Sequence, residues 1–377
     1  MKFHYRCVDC NYEFESEKIT YTCPHCNSEA TSFFPKGYLE VIIDDSYLKK
    51  LSKKDKIYYK DFSPYVLPDY RVFPVGNTPL IRSERISELV SASEVYFKMD
   101  SLLPSGSFKD RASQLIVAQA IHFKQKDIVL ASTGNAGASM SCAGASYGLN
   151  ITLFIPKSAP ENKLKQSILY GANVIPIDGN YDEAYLMSIK YSKEKGLLNR
   201  NTAFNPMTIE GKKSVSIELY NDFNKNLPDS IYVPVGDGCI ISGVYKGFID
   251  LLNAGLIEKV PEIICCQSEG SNAISKAFND NKFENINANT VADSISVDSP
   301  ACGRMAVKYL KQYGGRCITV SDKKILNAQR ELCKMAGIFA EPASSTAYAC
   351  LKEDSKALNK KVCVLITGIG FKDMSVF

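Results

Sequence analysis

The chain has 377 residues, 45% of them apolar and 23% charged, with a formal charge of only +4. It is longer than a typical single domain, so two or more domains are expected. No Lys/Arg block points to nucleic acid or an anionic membrane as partner, which leaves small-molecule chemistry.

In chain order, the opening MKFHYRCVDC has no apolar run of signal-peptide length, and no later stretch approaches the roughly 20 residues of a membrane span. A cytoplasmic protein is expected. Of 13 cysteines, Cys7, Cys10, Cys23 and Cys26 form C-x2-C, twelve residues, C-x2-C. Each such turn aims two thiolates at one point, and two turns complete the closed tetrahedral shell of structural zinc, with no open position for catalysis. Residues 1–40 are therefore read as a zinc-ribbon-like segment, the alternative being four unligated thiols in a degenerate ribbon. So short a segment buries too little apolar surface alone, and metal ligation would supply its folding free energy. Most other cysteines stand in apolar runs such as EIICCQ and KVCVLIT, as buried thiols in a reducing compartment do.

Residues 41–75, charged and then proline-punctuated, read as a polar helix followed by an extended connector. From 76 to 377 short β-branched runs (EVYFKM, DIVLAS, NITLFIP, NVIPID, SIYVPVG, EIICCQS, KVCVLITG) alternate with longer amphipathic stretches such as KDRASQLIVAQAIHFKQK and YDEAYLMSIKYSKEKG. This alternation predicts an α/β fold with parallel sheets covered on both faces.

In such sheets ligands sit beyond the carboxyl ends of the strands. Four turns there are rich in Gly, Ser, Thr and Asn: PSGSFKD (104–110), STGNAGAS (132–139), PVGDGCIISG (234–243) and TGIGFKD (367–373). In the third, Gly236, Asp237, Gly238 and Cys239 let backbone N–H groups converge on the positive end of the following helix, a cradle for a phosphate. It has neither a P-loop ending nor a dinucleotide spacing, so the phosphate is assigned to a compact cofactor. Lys109, opening a helix beside a Gly-Ser turn, offers the amine that takes up a carbonyl cofactor as a Schiff base. None of the three histidines reads as a catalytic base; His122 is assigned to helix packing or surface.

Together PSGSFKDRAS, STGNAGAS, EPASS and TGIGFKD, in this order, resemble the pyridoxal-phosphate enzymes of fold type II, most closely the threonine synthase group. The resemblance covers about residues 70–377, and a cysteine ribbon ahead of the body is also similar to several threonine synthases. It implies two parallel-sheet α/β domains with pyridoxal 5'-phosphate between them, the smaller spanning about 105–190, and a homodimer. It also assigns roles. Lys109 would hold the cofactor and move the α-proton of an amino-acid substrate, and Asn135 would bond the cofactor's phenolic oxygen. Ser132, Thr133, Gly134 and Ala136 would meet the substrate carboxylate, Ser132 and Thr133 being compatible with a helix cap as well. Thr367 would face the pyridine nitrogen without keeping it protonated, which favours elimination or replacement over transamination. Asp110 and Arg111 are expected to form ion pairs behind the site, and Glu341 to begin a helix that lines the cofactor.

The family also places an NSVNPYRIEGQKT-like segment against the phosphate of O-phosphohomoserine. Here that segment reads TAFNPMTIEGKKS (202–214). Its scaffold is kept, but Thr202, Ala203 and Thr208 replace Asn, Ser and Arg, so a guanidinium is missing and Lys212 is left as a point charge. The primary expectation is an enzyme that eliminates or replaces a β or γ substituent, serine/threonine ammonia-lyases included, with a less charged leaving group preferred. Two alternatives stay open: a genuine threonine synthase, and a catalytically silent binding protein of the same fold.

Overall fold

The computed structural model describes residues 3–26, 34–54 and 56–374. Positions 1–2 and 27–33 of the expected ribbon, position 55 of the connector and 375–377 lie outside the described residues. The head contributes β1 (Phe3–Cys7), β2 (Glu13–Phe14) and β3 (Leu39–Ile43), an antiparallel sheet in the order β2-β1-β3. The polar helix follows as Asp45–Leu51, capped by the Asp44 carboxylate, which accepts from Ser46 N at 2.8 Å.

The body holds two sheets. Chain order runs β4 (Leu80–Arg82), β5 (Glu94–Lys98), β6 (Asp127–Ala131), β7 (Asn150–Pro156), β8 (Asn173–Ile177), β9 (Leu198–Asn199), β10 (Ser230–Pro234), β11 (Glu262–Ser268), β12 (Arg316–Val320) and β13 (Lys361–Leu365). β12-β11-β10-β13-β5-β4 form a six-stranded sheet, parallel except for β4. β8-β7-β6-β9 form a wholly parallel second sheet from residues 127–199. The α/β architecture matches the alternation in the sequence.

Every strand expected from an apolar run is present. The ones not anticipated, β4, β9 and β12, are all edge strands. An edge strand is covered less completely and needs no continuous apolar run, so its sequence carries a weaker signal. β10, in the middle of its sheet, is buried at all five positions. Helices Cys239–Asn253 and Pro342–Glu353 both pack on β10 and β11, while Asn135–Tyr147 and Tyr181–Lys195 cover the second sheet. These helices begin at the carboxyl ends of their strands, and three of the four glycine-rich turns lead into helices of the body there.

Candidate active site

Lys109 is the first residue of helix Lys109–His122. The buried carboxylate of Asp110 accepts from Ser105 N at 2.7 Å and Ser105 Oγ at 2.6 Å, which ties the preceding turn to the helix and fixes the angle at which Lys109 leaves it. The lysine is half-buried, and its Nζ has neither a hydrogen bond nor an ion pair among the described residues. Burial pushes its pKa down, with Glu341 the main opposing charge. Phe108 N donates to Thr367 O at 2.8 Å, so the end of β13 lies directly beside Lys109.

Thr367 is 6% exposed, and its N–H donates to Ser344 Oγ at 2.7 Å. Next to it, Gly368 O accepts from Glu341 N at 3.0 Å, and a Cβ on Gly368 would fall 2.2 Å from Glu341 Oε1. Only glycine permits that approach. Glu341 does stand at the N-cap position of Pro342–Glu353, but its carboxylate does not cap that helix. It accepts instead from Asn135 Nδ2, at 3.0 Å for Oε2, and from Ser294 Oγ at 3.3 Å. Burial raises its pKa, opposed by Asn135 and Lys109.

Asn135 opens helix Asn135–Tyr147, which has no acidic residue in its first turn to neutralise its positive end. Ser132 Oγ accepts from Gly137 N at 2.9 Å and Gly134 N at 3.3 Å, so the hydroxyl shapes the loop. Thr133, Gly134, Asn135 and Ala136 remain half-buried. Across from them, Gly238 caps helix Cys239–Asn253 at φ +84°, a left-handed conformation suited to glycine. No carboxylate caps this end: Asp237 Oδ1 accepts from Ala301 N at 3.1 Å. Lys212, fully buried, donates from Nζ to Thr208 O at 2.5 Å. Burial pushes its pKa down to about 7, with Arg200 and Lys109 acting the same way and Cys239 opposing.

An amine without a partner, two helix N-termini without acidic caps and a buried threonine at a strand end fit a phosphorylated aldehyde cofactor and an amino-acid carboxylate. Behind them, Arg111 bonds Asp100 (2.6 and 2.8 Å) and Glu218 (2.7 and 2.9 Å), the ion pairs expected of it, whereas Asp110, expected to pair likewise, makes no ion pair among the described residues and is held by Ser105. His122 is exposed at the helix end, its ring tilted against Tyr65 with centroids 4.9 Å apart.

In the segment 202–214 the two threonines differ. Thr208 is fully buried, and its hydroxyl donates to Asn205 O at 2.7 Å and accepts from Ala203 N at 3.1 Å, so it is spent inside the turn. Ala203, at φ +68°, takes a conformation that costs a non-glycine residue about 1 kcal/mol or more. Thr202 is half-buried, and its Oγ1 accepts from Arg200 Nη1 at 2.7 Å. Arg200 was not anticipated from the sequence: a single arginine in LLNRN carries no pattern, and its burial is decided by the tertiary structure. In the head, the sulfurs of Cys7, Cys10, Cys23 and Cys26 lie within 4.8 Å of one another. Cys7 and Cys26 are 3.5 Å apart and Cys10 and Cys23 3.6 Å, close to the roughly 3.8 Å edge of a tetrahedron of sulfurs about 2.3 Å from zinc.

Residues 72–368 match the family described as "Pyridoxal-phosphate dependent enzyme". Threonine synthases of Methanosarcina acetivorans and Methanocaldococcus jannaschii are each 31% identical, covering 93% and 98% of this chain and 86% and 92% of their own. Among solved structures, maize serine racemase aligns with a TM-score of 0.70 at 22% identity over 88% of this chain and 95% of its own. An L-serine ammonia-lyase from Rhizomucor miehei aligns with a TM-score of 0.71 at 21% identity, over 80% and 96%. With the fold shared at that level and the sequence matched over most of its length, the chain belongs to the pyridoxal-phosphate-dependent enzymes of fold type II, as a threonine-synthase-like member.

Proposed function

We propose that this enzyme binds pyridoxal phosphate at Lys109, Asn135, Gly236, Asp237, Gly238, Cys239 and Thr367 and uses it to eliminate or replace a substituent on the β or γ carbon of an amino acid. The observation that carries the reading is the partnerless amine of Lys109 beside Thr367, in a body whose helices Asn135–Tyr147 and Cys239–Asn253 start without acidic caps. The bound cofactor would supply the electron sink for the substrate's α-carbon. Lys109, its pKa lowered by burial, would hold the cofactor's aldehyde and then carry the α-proton. The N–H groups from Thr133 to Ala136 would orient the α-carboxylate, with Ser132 holding their loop in shape. Asn135, fixed by Glu341, would meet the cofactor's phenolic oxygen. Asp237 would contribute its backbone to the phosphate cradle, since its side chain is engaged with Ala301.

Its likeness to threonine synthases favours threonine formation, which the resemblance ties to a phosphorylated substrate, as the second reading. Purified protein assayed against amino acids with different leaving groups, following oxo-acid, ammonia and phosphate, decides between them. Lys109→Ala should lose both the visible cofactor absorption and turnover; normal activity in that variant would remove the assignment.

Zinc held by Cys7, Cys10, Cys23 and Cys26 is proposed on the sulfur geometry. All 13 cysteines are free, which supports a reducing, cytoplasmic setting. Among the described residues no helix is long and apolar enough to cross a membrane. A homodimer is proposed on family resemblance, and sedimentation of the holoenzyme tests it.

A further inference from the structure

Helix Gly303–Gln312 lies between the head and the turn 236–239 and is held from both sides. On the head side, Arg304 Nε donates to Phe34 O at 2.9 Å, and its Nη1 stands 3.7 Å from Asp9 Oδ1. One turn further along, Lys308 pairs with Glu40 at 3.4 Å, and the Tyr309 hydroxyl donates to the same carboxylate. Residues 304 and 308, four apart, share one helix face, so the head grips the helix along its length. The grip is close at the helix start. A Cβ on Gly303 would fall 2.5 Å from the Phe34 ring, and Phe34 N donates to Ser299 Oγ at 3.0 Å.

On the other side, the loop that opens this helix is bonded to the turn 236–239. Ala301 N donates to Asp237 Oδ1 at 3.1 Å, and Cys302 N donates to Asp237 O at 2.9 Å. A Cβ on Gly238 would fall 3.0 Å from Cys302 O, so the two backbones are in contact. The cysteine cluster joins the same series of contacts. Asp9, inside the Cys7–Cys10 turn, accepts from Gly37 N at 2.8 Å in addition to facing Arg304. Cys23 N donates to Gly37 O at 2.8 Å, and Val8 N to Tyr38 O at 3.0 Å. Segment 34–38 therefore rests on both cysteine turns at once.

Resting on the proposed function, which puts the cofactor phosphate at 236–239 and zinc among the four cysteines, we infer that the head is a metal-dependent brace for the phosphate cradle, with Arg304 as the positioning residue that transmits it. A metal fixes the two cysteine turns relative to each other, and with them segment 34–38. That segment holds Arg304 and the loop 299–302, and the loop holds Asp237 so that the backbone N–H groups of the cradle stay aimed at the phosphate. Arg304 itself touches neither cofactor nor substrate. Without the metal the cofactor remains attached through Lys109, but its phosphate is held less firmly.

Holoenzyme is compared before and after removal of the metal by a chelator, for wild type, Arg304→Met, Arg304→Lys and Lys324→Met, the last breaking an exposed ion pair with Glu353 as a control. Two quantities are read: the phosphorus NMR shift of the bound cofactor, and the rate at which it exchanges for radiolabelled pyridoxal phosphate in solution. Removing the metal should move the resonance and speed exchange about tenfold or more, the effect of losing one good hydrogen bond. Arg304→Met should do the same with the metal in place, Arg304→Lys should keep part of the firmness, and Lys324→Met should match wild type. Removing the metal from Arg304→Met should add little, because both changes act on one series of contacts. Effects that multiply overturn the inference, as do equal effects in Lys324→Met. A resonance and an exchange rate unmoved by metal removal also overturn it, and this comparison stands even if Arg304→Met fails to fold. Protein purified without cofactor or without metal removes that assignment from the proposed function, and the inference with it. If both are bound and neither reading responds, the inference alone fails.

Discussion

Thr367 and Lys212 are single residues whose chemistry is set by their surroundings. A threonine hydroxyl facing the pyridine nitrogen leaves that nitrogen largely unprotonated, whereas a carboxylate would protonate it and deepen the electron sink. Thr367→Asp should therefore retain cofactor but shift flux toward transamination, read as pyridoxamine phosphate formed per turnover; unchanged partitioning would show that Thr367 does not face the ring. Lys212 has a pKa of about 7, lowered from the ordinary lysine value by burial and by Arg200 and Lys109. Its neutral form is thus within reach near neutral pH, and an anion brought beside it favours the charged form. Binding takes up a proton above about pH 7, so affinity for an anionic amino acid should fall as the pH rises, by up to tenfold per unit. Lys212→Met should flatten that slope in titrations followed by cofactor absorption.

Helix Lys109–His122 is anchored through Arg111, which joins Asp100 at the end of β5 to Glu218 in helix Ser214–Asp222. Burial alone would raise the pKa of Glu218, but Arg111 and Lys98 hold it at about 2. The folded value lies below the unfolded one, so this stabilisation is present above about pH 4.5 and is lost as the pH falls toward 2, a total of about 3 kcal/mol. The Tm difference between wild type and Glu218→Gln should narrow across that window; a constant difference would contradict the coupling. Arg111→Met strands buried carboxylates and should cost about 3–5 kcal/mol in urea unfolding. The helix itself was legible in its apolar spacing and in the motif that opens it. Its anchor partners, more than 100 residues away at Glu218, were not.

At the scale of the molecule, the head is joined to the body by shared apolar packing, with Tyr5, Leu39 and Val41 in one core with Leu115 and Ile116, and by polar contacts. Burial tends to raise the pKa of Glu40, but Lys308 and Arg6 hold it below the usual carboxylate range, and Tyr309 donates to it. Asn199 N donates to Tyr21 Oη at 2.8 Å, and Tyr21 stacks on Phe204 at 4.7 Å, so the head also touches the strand that leads to Arg200. About one zinc per chain is expected by elemental analysis. Stripping it should unfold the head and leave the cofactor bound. Absence of metal in protein prepared without chelator would count against the zinc site.

The sequence by itself determined the family and marked the candidate lysine, the glycine-rich turns and the cysteine head, because each is a local arrangement: a strand end, a turn and a helix start lie within a dozen residues, where spacing encodes geometry. The resemblance also implied that Arg111 and Asp110 form ion pairs behind the site; Arg111 does so, with Asp100 and Glu218, while Asp110 is held by Ser105. Only the tertiary structure decided where those partners come from, that Glu341 turns to Asn135 rather than capping its own helix, that Thr208 is spent inside its turn, and that Arg200 is buried with unpaired donors. Whether a polar group is paired depends on atoms that the fold brings from other strands and helices, and no spacing along the chain records that distance.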